Sequence, residues 1–130
     1  GAVYMANKSY YVAAQESDLN RLGLAIGSIL QKQEVYDRIW AETGLTCSQS
    51  SLSELMSVWF METEKKAIQL SDDRSSDGRV NISVAAPSEE IGEKILAVLD
   101  EQVQVVCAQI AQTAEGGMTY EAMTQTGRTG

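Results

Sequence analysis

The strongest constraint on the fold lies in the last third of the chain, where one apolar stripe runs on without a stop. Ile91, Ile95, Val98, Leu99, Val103, Val106 and Ile110 recur at three- and four-residue spacing, as they do on a helix with one face against a core. Pro87-Ser88-Glu89-Glu90 opens this helix with acids at the positive end of its dipole, and Gly116-Gly117 stops it. At 1.5 Å per residue, residues 89–114 make a helix ~39 Å long. A domain of this chain length has a diameter of roughly 36 Å, so the helix spans the domain or projects from it.

The two halves of that helix differ. The first offers Glu89, Glu90, Glu93, Lys94, Asp100 and Glu101 to water. Residues 102–114 carry no charge, and Val103, Val105, Val106, Cys107 and Ile110 occupy more than one face. A helix apolar nearly all round must be covered nearly all round. An isologous homodimer would supply that cover, with Val103, Val105, Val106 and Ile110 as the candidate interface.

Two further helices are expected upstream. One starts near Ser17 or Asp18, carries Leu19, Leu22, Ile26, Ile29 and Leu30, and continues through Tyr36, Ile39 and Trp40. Gly44 ends it in the left-handed conformation, with Leu45 as the apolar contact. The next opens on the capping box Ser51-Leu52-Ser53-Glu54. It presents Leu52, Leu55, Met56, Trp59 and Phe60, and pairs Glu62 with Lys66 four residues on. Trp40, Met56, Trp59 and Phe60 then gather around the Gly44 turn as a candidate apolar pocket or a core between two helices.

Strand signals are fewer. Val80, Ile82 and Val84 alternate with Arg79, Asn81 and Ser83, which puts apolar and polar side chains on opposite faces. Ser9 to Ala13 is rich in strand formers. Val12-Ala13-Ala14 and Val84-Ala85-Ala86 echo each other, each following a strand and preceding an acidic helix start. The expected fold is therefore mainly α: three long helices, a helix hairpin and a small two-stranded element. Residues 1–8 are expected as an N-terminal extension, vector-derived up to Tyr4 if Met5 is the native start. Residues 9–117 are expected as a single helical domain and 118–130 as a flexible tail.

Composition removes whole classes of chemistry. The chain has 130 residues, 18 acidic against 10 basic, a net charge of −8 and no histidine. A polyanion partner needs surplus Lys and Arg, and Ser-His-Asp or imidazole-metal sites need histidine. Cys47 and Cys107 form neither a metal pattern nor a disulfide framework, and read as reduced thiols in a cytoplasmic protein. No run reaches the ~20 apolar residues of a membrane span. The sequence offers no catalytic residue, cofactor-binding motif or metal site.

Three segments look like known motifs and depart from each. Asp73 to Val80 resembles an EF-hand loop, but its twelfth position is Val84 instead of a bidentate acid. Ile39 to Thr46 followed by Leu52 to Leu55 resembles a helix-turn-helix, but residues 46–56 hold no Lys or Arg. Arg79 to Ile95 has the outline of a ribbon-helix-helix protein without its second turn. The functional expectation is a small acidic accessory or regulatory protein acting through protein–protein contact as a homodimer. The alternative is a DNA-associated regulator of helix-turn-helix or ribbon-helix-helix type. A third is a small-molecule-binding or carboxylate-based enzymatic domain.

Overall fold

Alternation of burial along Tyr4–Gln15 makes the first strand, β1: Tyr4, Ala6, Tyr10, Val12 and Ala14 are buried, while Tyr11 and Gln15 face solvent. The computed structural model describes residues 3–44, 59–67 and 75–129. After β1 come α1 (Glu16–Ile29), α2 (Gln33–Thr43), β2 (Trp59–Ala67), β3 (Ser75–Ala86), α3 (Glu89–Thr113) and β4 (Thr119–Thr129). The strands form one four-stranded sheet in the order β2-β3-β1-β4, and every neighbouring pair is antiparallel. β3 thus lies between β1 and β2, the split βαβ arrangement of ferredoxin-like folds.

This corrects the mainly α expectation. The fold is α+β, and the expected two-stranded element is one antiparallel pair, β1 with β3, inside a larger sheet. The expected second long helix is overturned where it is described, since Trp59–Ala67 is a strand. In register, Trp59, Met61 and Thr63 stand opposite Val84, Ile82 and Val80, while Glu62 and Glu64 stand opposite Asn81 and Arg79. That is a period of two, and pairing with β3 selects it over the helical reading of the same residues. Residues 4–8 belong to β1, and 119–129, expected as flexible tail, form an edge strand.

The long upstream helix is two helices. Leu30 caps α1, and the amides of Gln31 and Lys32 donate to the Ser28 and Ile29 carbonyls in a turn. From Gln31 to Glu34 nothing apolar is available to bury, and the Tyr36 hydroxyl donates to the Leu30 carbonyl at 2.7 Å, stitching the break. Gly44 ends α2 at φ 73°, and its amide donates to the Trp40 carbonyl. Ser88 caps α3 by accepting from the Ile91 amide at 3.2 Å. The echo at Val12-Ala13-Ala14 and Val84-Ala85-Ala86 falls at the two strand-to-helix steps, β1 to α1 and β3 to α3.

The core lies between the sheet and the helices. Val12, Val80, Ile82 and Val84 from the sheet meet Leu22, Ile26, Ile95 and Leu99 from α1 and α3, all at most 1 % exposed. Each such side chain contributes about 1.5–3 kcal/mol by leaving water. α2 adds Val35 and Ile39 and packs against α3. On the opposite face of the sheet, Ser9 Oγ donates to Asn81 Oδ1 and Ser83 Oγ to Asn7 Oδ1, both at 2.8 Å. No helix among the described residues is long and apolar enough to cross a membrane.

Candidate interaction edge

β4 is the feature that a domain of this kind has to account for. It is an 11-residue outer strand paired on one side with β1, and among the described residues its other edge has no partner strand and is a row of unpaired amides and carbonyls. Glu121, Ala122, Met123 and residues 125–129 are exposed, whichever face of the sheet they belong to. The strand contains no lysine and no proline, two of the residues that commonly blunt an edge. One bulge interrupts it: Lys8 pairs with Gln125 and Tyr10 with Ala122, so Met123 and Thr124 together oppose Ser9. From Gln125 to Thr129 the pairing with β1 is continuous. Met118, buried just before the strand, anchors it to the core.

A polar seam holds α3 over the inner side of this edge. Asp100 accepts from three donors: Lys8 Nζ at 2.8 Å, Gln104 Nε2 at 3.0 Å and the Tyr10 hydroxyl. Both ion-pair side chains are largely covered, Lys8 at 18 % and Asp100 at 13 % exposure. Farther along, Glu93 accepts from the Tyr4 hydroxyl at 2.5 Å and from Gln125 Nε2 at 3.3 Å. Burial and the Asp100 hydrogen bond push the Tyr10 hydroxyl up to about 12. The Glu93 hydrogen bond, with burial, does the same for Tyr4. Asp100 raises the Lys8 ammonium. Neither phenol is poised to give up a proton near neutral pH, so the seam serves as a fastening.

The residues singled out in the sequence divide. Val103 and Val106 are buried in the core of the single chain, Ile110 packs at its margin, and Val105 is 48 % exposed. Trp40 is half-buried beside Tyr36, with ring centroids 6.3 Å apart. Trp59 and Phe60 are consecutive residues of β2, and Met56 lies outside the described residues. Also outside them are Cys47, the capping box and the turn following Gly44. Burial pushes the Cys107 thiol up to about 11. The strand of the ribbon-helix-helix outline lies inside the sheet, with Asn81 and Ser83 hydrogen-bonded to β1. Ser75 to Gly78 of the EF-hand-like segment pair with β1 as ordinary strand. Among the described residues no cluster of acids or cysteines could hold a metal ion.

Sequence reasoning missed Glu121, Gln125 and Arg128. The available signal was threonine and tyrosine content, at Thr119, Tyr120, Thr124, Thr126 and Thr129, which favours strand over coil. Shallow depressions mark the surface formed by the described residues. One of about 160 Å³ lies against β4 beside Tyr11, Thr119, Tyr120 and Glu121. Another, about 170 Å³, is lined by Gln15, Ser17, Asp18, Arg21, Thr113 and Glu115. A wide, open one of about 640 Å³ lies along the first turns of α3. None of these depressions among the described residues encloses a drug-sized ligand as binding clefts do.

No family model and no curated protein matches the chain. Among solved structures the chain is similar to a dimeric ferredoxin-like protein from an uncultured marine organism. The identity is 11 %, over 95 % of this chain and 93 % of that one, with a TM-score of 0.40. A de novo designed protein with a ferredoxin fold is 13 % identical over 91 % of this chain and 85 % of its own, at a TM-score of 0.38. An amidase of the hydantoinase/carbamoylase family from Burkholderia vietnamiensis is 9 % identical, with a TM-score of 0.42. That match covers 98 % of this chain but 29 % of the amidase.

Proposed function

We propose that this chain is an acidic accessory or regulatory module that acts through protein–protein contact and works as a homodimer. The observation that carries the reading is the open edge of β4, a long strand with exposed side chains and, among the described residues, one unpaired backbone edge. Such an edge gains main-chain hydrogen bonds by adding a further strand. A net charge of −8 weighs against a nucleic-acid partner, and the polar groups of the seam are engaged with one another. The cytoplasmic setting expected from the cysteines is part of the same proposal.

Sedimentation velocity at micromolar concentration tests it. A dimer whose outward-facing β4 amides, those not bonded to β1, resist hydrogen exchange is expected. A monomer in which those outward amides exchange freely would remove the proposal's basis.

A further inference from the structure

The register of β4 against β1 restricts how two copies of that edge can meet. Two β4 strands related by a two-fold axis perpendicular to the sheet run antiparallel, and residues directly opposite must point to the same face. The axis therefore has to pass through a residue position of the strand, not between two. Its partners on β1 give each β4 residue its face. Glu121 stands beside Tyr11, Thr126 beside Asn7 and Arg128 beside Met5, on the side away from the helices; Ala122, Gln125 and Gly127 stand on the helix side. The bulge at Met123–Thr124 is what puts Glu121 and Arg128 on one face although they are an odd number of residues apart.

With those faces fixed, an axis through Gln125 keeps nearly the whole strand paired. Arg128 then falls opposite Glu121 of the partner subunit, and the reverse contact is made by symmetry. Gly127 falls opposite Ala122 of the partner subunit, two small residues on the side where the helices lie. Moving the axis to the bulge or to Thr126 sets neither charge against its opposite. Within their own chain, neither Glu121 nor Arg128 forms an ion pair among the described residues, and both are exposed.

We infer that β4 joins β4 of a second copy about an axis through Gln125, so that reciprocal Glu121–Arg128 pairs flank it and the two sheets become one of eight strands. The inference rests on the homodimer reading above and specifies its contact. Like charges directly opposite on neighbouring strands destabilise the pairing, and opposite charges support it.

Charge exchange tests the register. Glu121→Arg alone and Arg128→Glu alone each place two like-charge contacts in the dimer, and each is expected to raise the dissociation constant about tenfold. An equimolar mixture of the two should form heterodimers selectively, read by native mass spectrometry of one labelled partner. The double variant Glu121→Arg/Arg128→Glu should return to the affinity of the unaltered chain, which guards against a folding defect in either single variant. If the single variants dimerise as tightly as the unaltered chain and the mixture shows no preference, the register is wrong while the homodimer stands. If the unaltered chain is itself a monomer, the homodimer reading fails with it.

Discussion

The Tyr4 side chain crosses directly over Gly127 to reach Glu93: a Cβ placed on Gly127 would lie 1.8 Å from the Tyr4 hydroxyl oxygen and 2.7 Å from its Cζ. Gly92 of α3 sits against the same ring, where a Cβ would come within 2.7 Å of Tyr4 Cδ1. The phenol thus passes between two glycines on different elements and ties the start of β1 to α3 and β4.

Gly127→Ala is expected to displace that phenol and cost about 1–3 kcal/mol, the usual penalty for overpacking a filled space. Chemical denaturation followed by tryptophan fluorescence measures it. A neutral result would mean that Tyr4 does not lie over β4 in solution.

The chain has five tyrosines, and those at positions 4 and 10 hold their protons up to about pH 12 when folded. An unfolded tyrosine titrates near 10. Between these values the folded state binds more protons than the unfolded one, so stability falls as pH rises through that window and is complete below it. Ultraviolet absorbance should register the late titration of Tyr4 and Tyr10, and Tyr10→Phe should remove its share of that signal and soften the alkaline unfolding.

Asp100 and Lys8 are unequal partners. Removing the carboxylate by Asp100→Ala strands three donors, while Lys8→Met leaves Asp100 two of its hydrogen bonds. Loss of the acceptor is expected to cost about 2–3 kcal/mol, and loss of the lysine less than half of that. Urea titration of both variants checks the ordering.

Gly44 ends α2 at a positive φ with open space around it. Gly44→Ala is expected to cost about 1 kcal/mol through backbone strain alone. A double variant with a core substitution such as Ile39→Val should be additive only if the two effects are independent.

Cys107 is fully buried and its thiol is held near 11. Alkylation at neutral pH should therefore follow the rate of unfolding, because the thiolate is the reactive form. Peptide mass spectrometry after timed exposure to iodoacetamide reads it directly.

What could be read in the sequence was whatever has a wet face and a dry one. The alternation from Arg79 to Val84 is a strand whose apolar side lies under the helices, and the stripe from Ile91 to Val106 is a helix buried along one side. β4 has no such contrast. Most of it is exposed on both faces, so no period of two exists to be detected. At Trp59 to Met61 three large apolar residues in succession suit a helix or a strand equally, and pairing with β3 decides between them. The seam was invisible for another reason: Lys8 and Asp100 are 92 residues apart, and Asp100 taken alone reads as one more solvent-facing acid. The candidate edge residues Glu121, Gln125 and Arg128 acquire meaning only from the register with β1.

β1 sits in the middle of the sheet, yet both strands that flank it come late in the chain: Tyr4 pairs with Ala86 on one side and Thr129 on the other. A ribosome delivering this chain therefore exposes a strand with both edges vacant until most of the polypeptide has followed. Contacts so distant in sequence must close large loops before they stabilise anything, which places such a topology among the slower folders. During that interval the first strand is the segment most in need of shielding, and the last strand ends the wait.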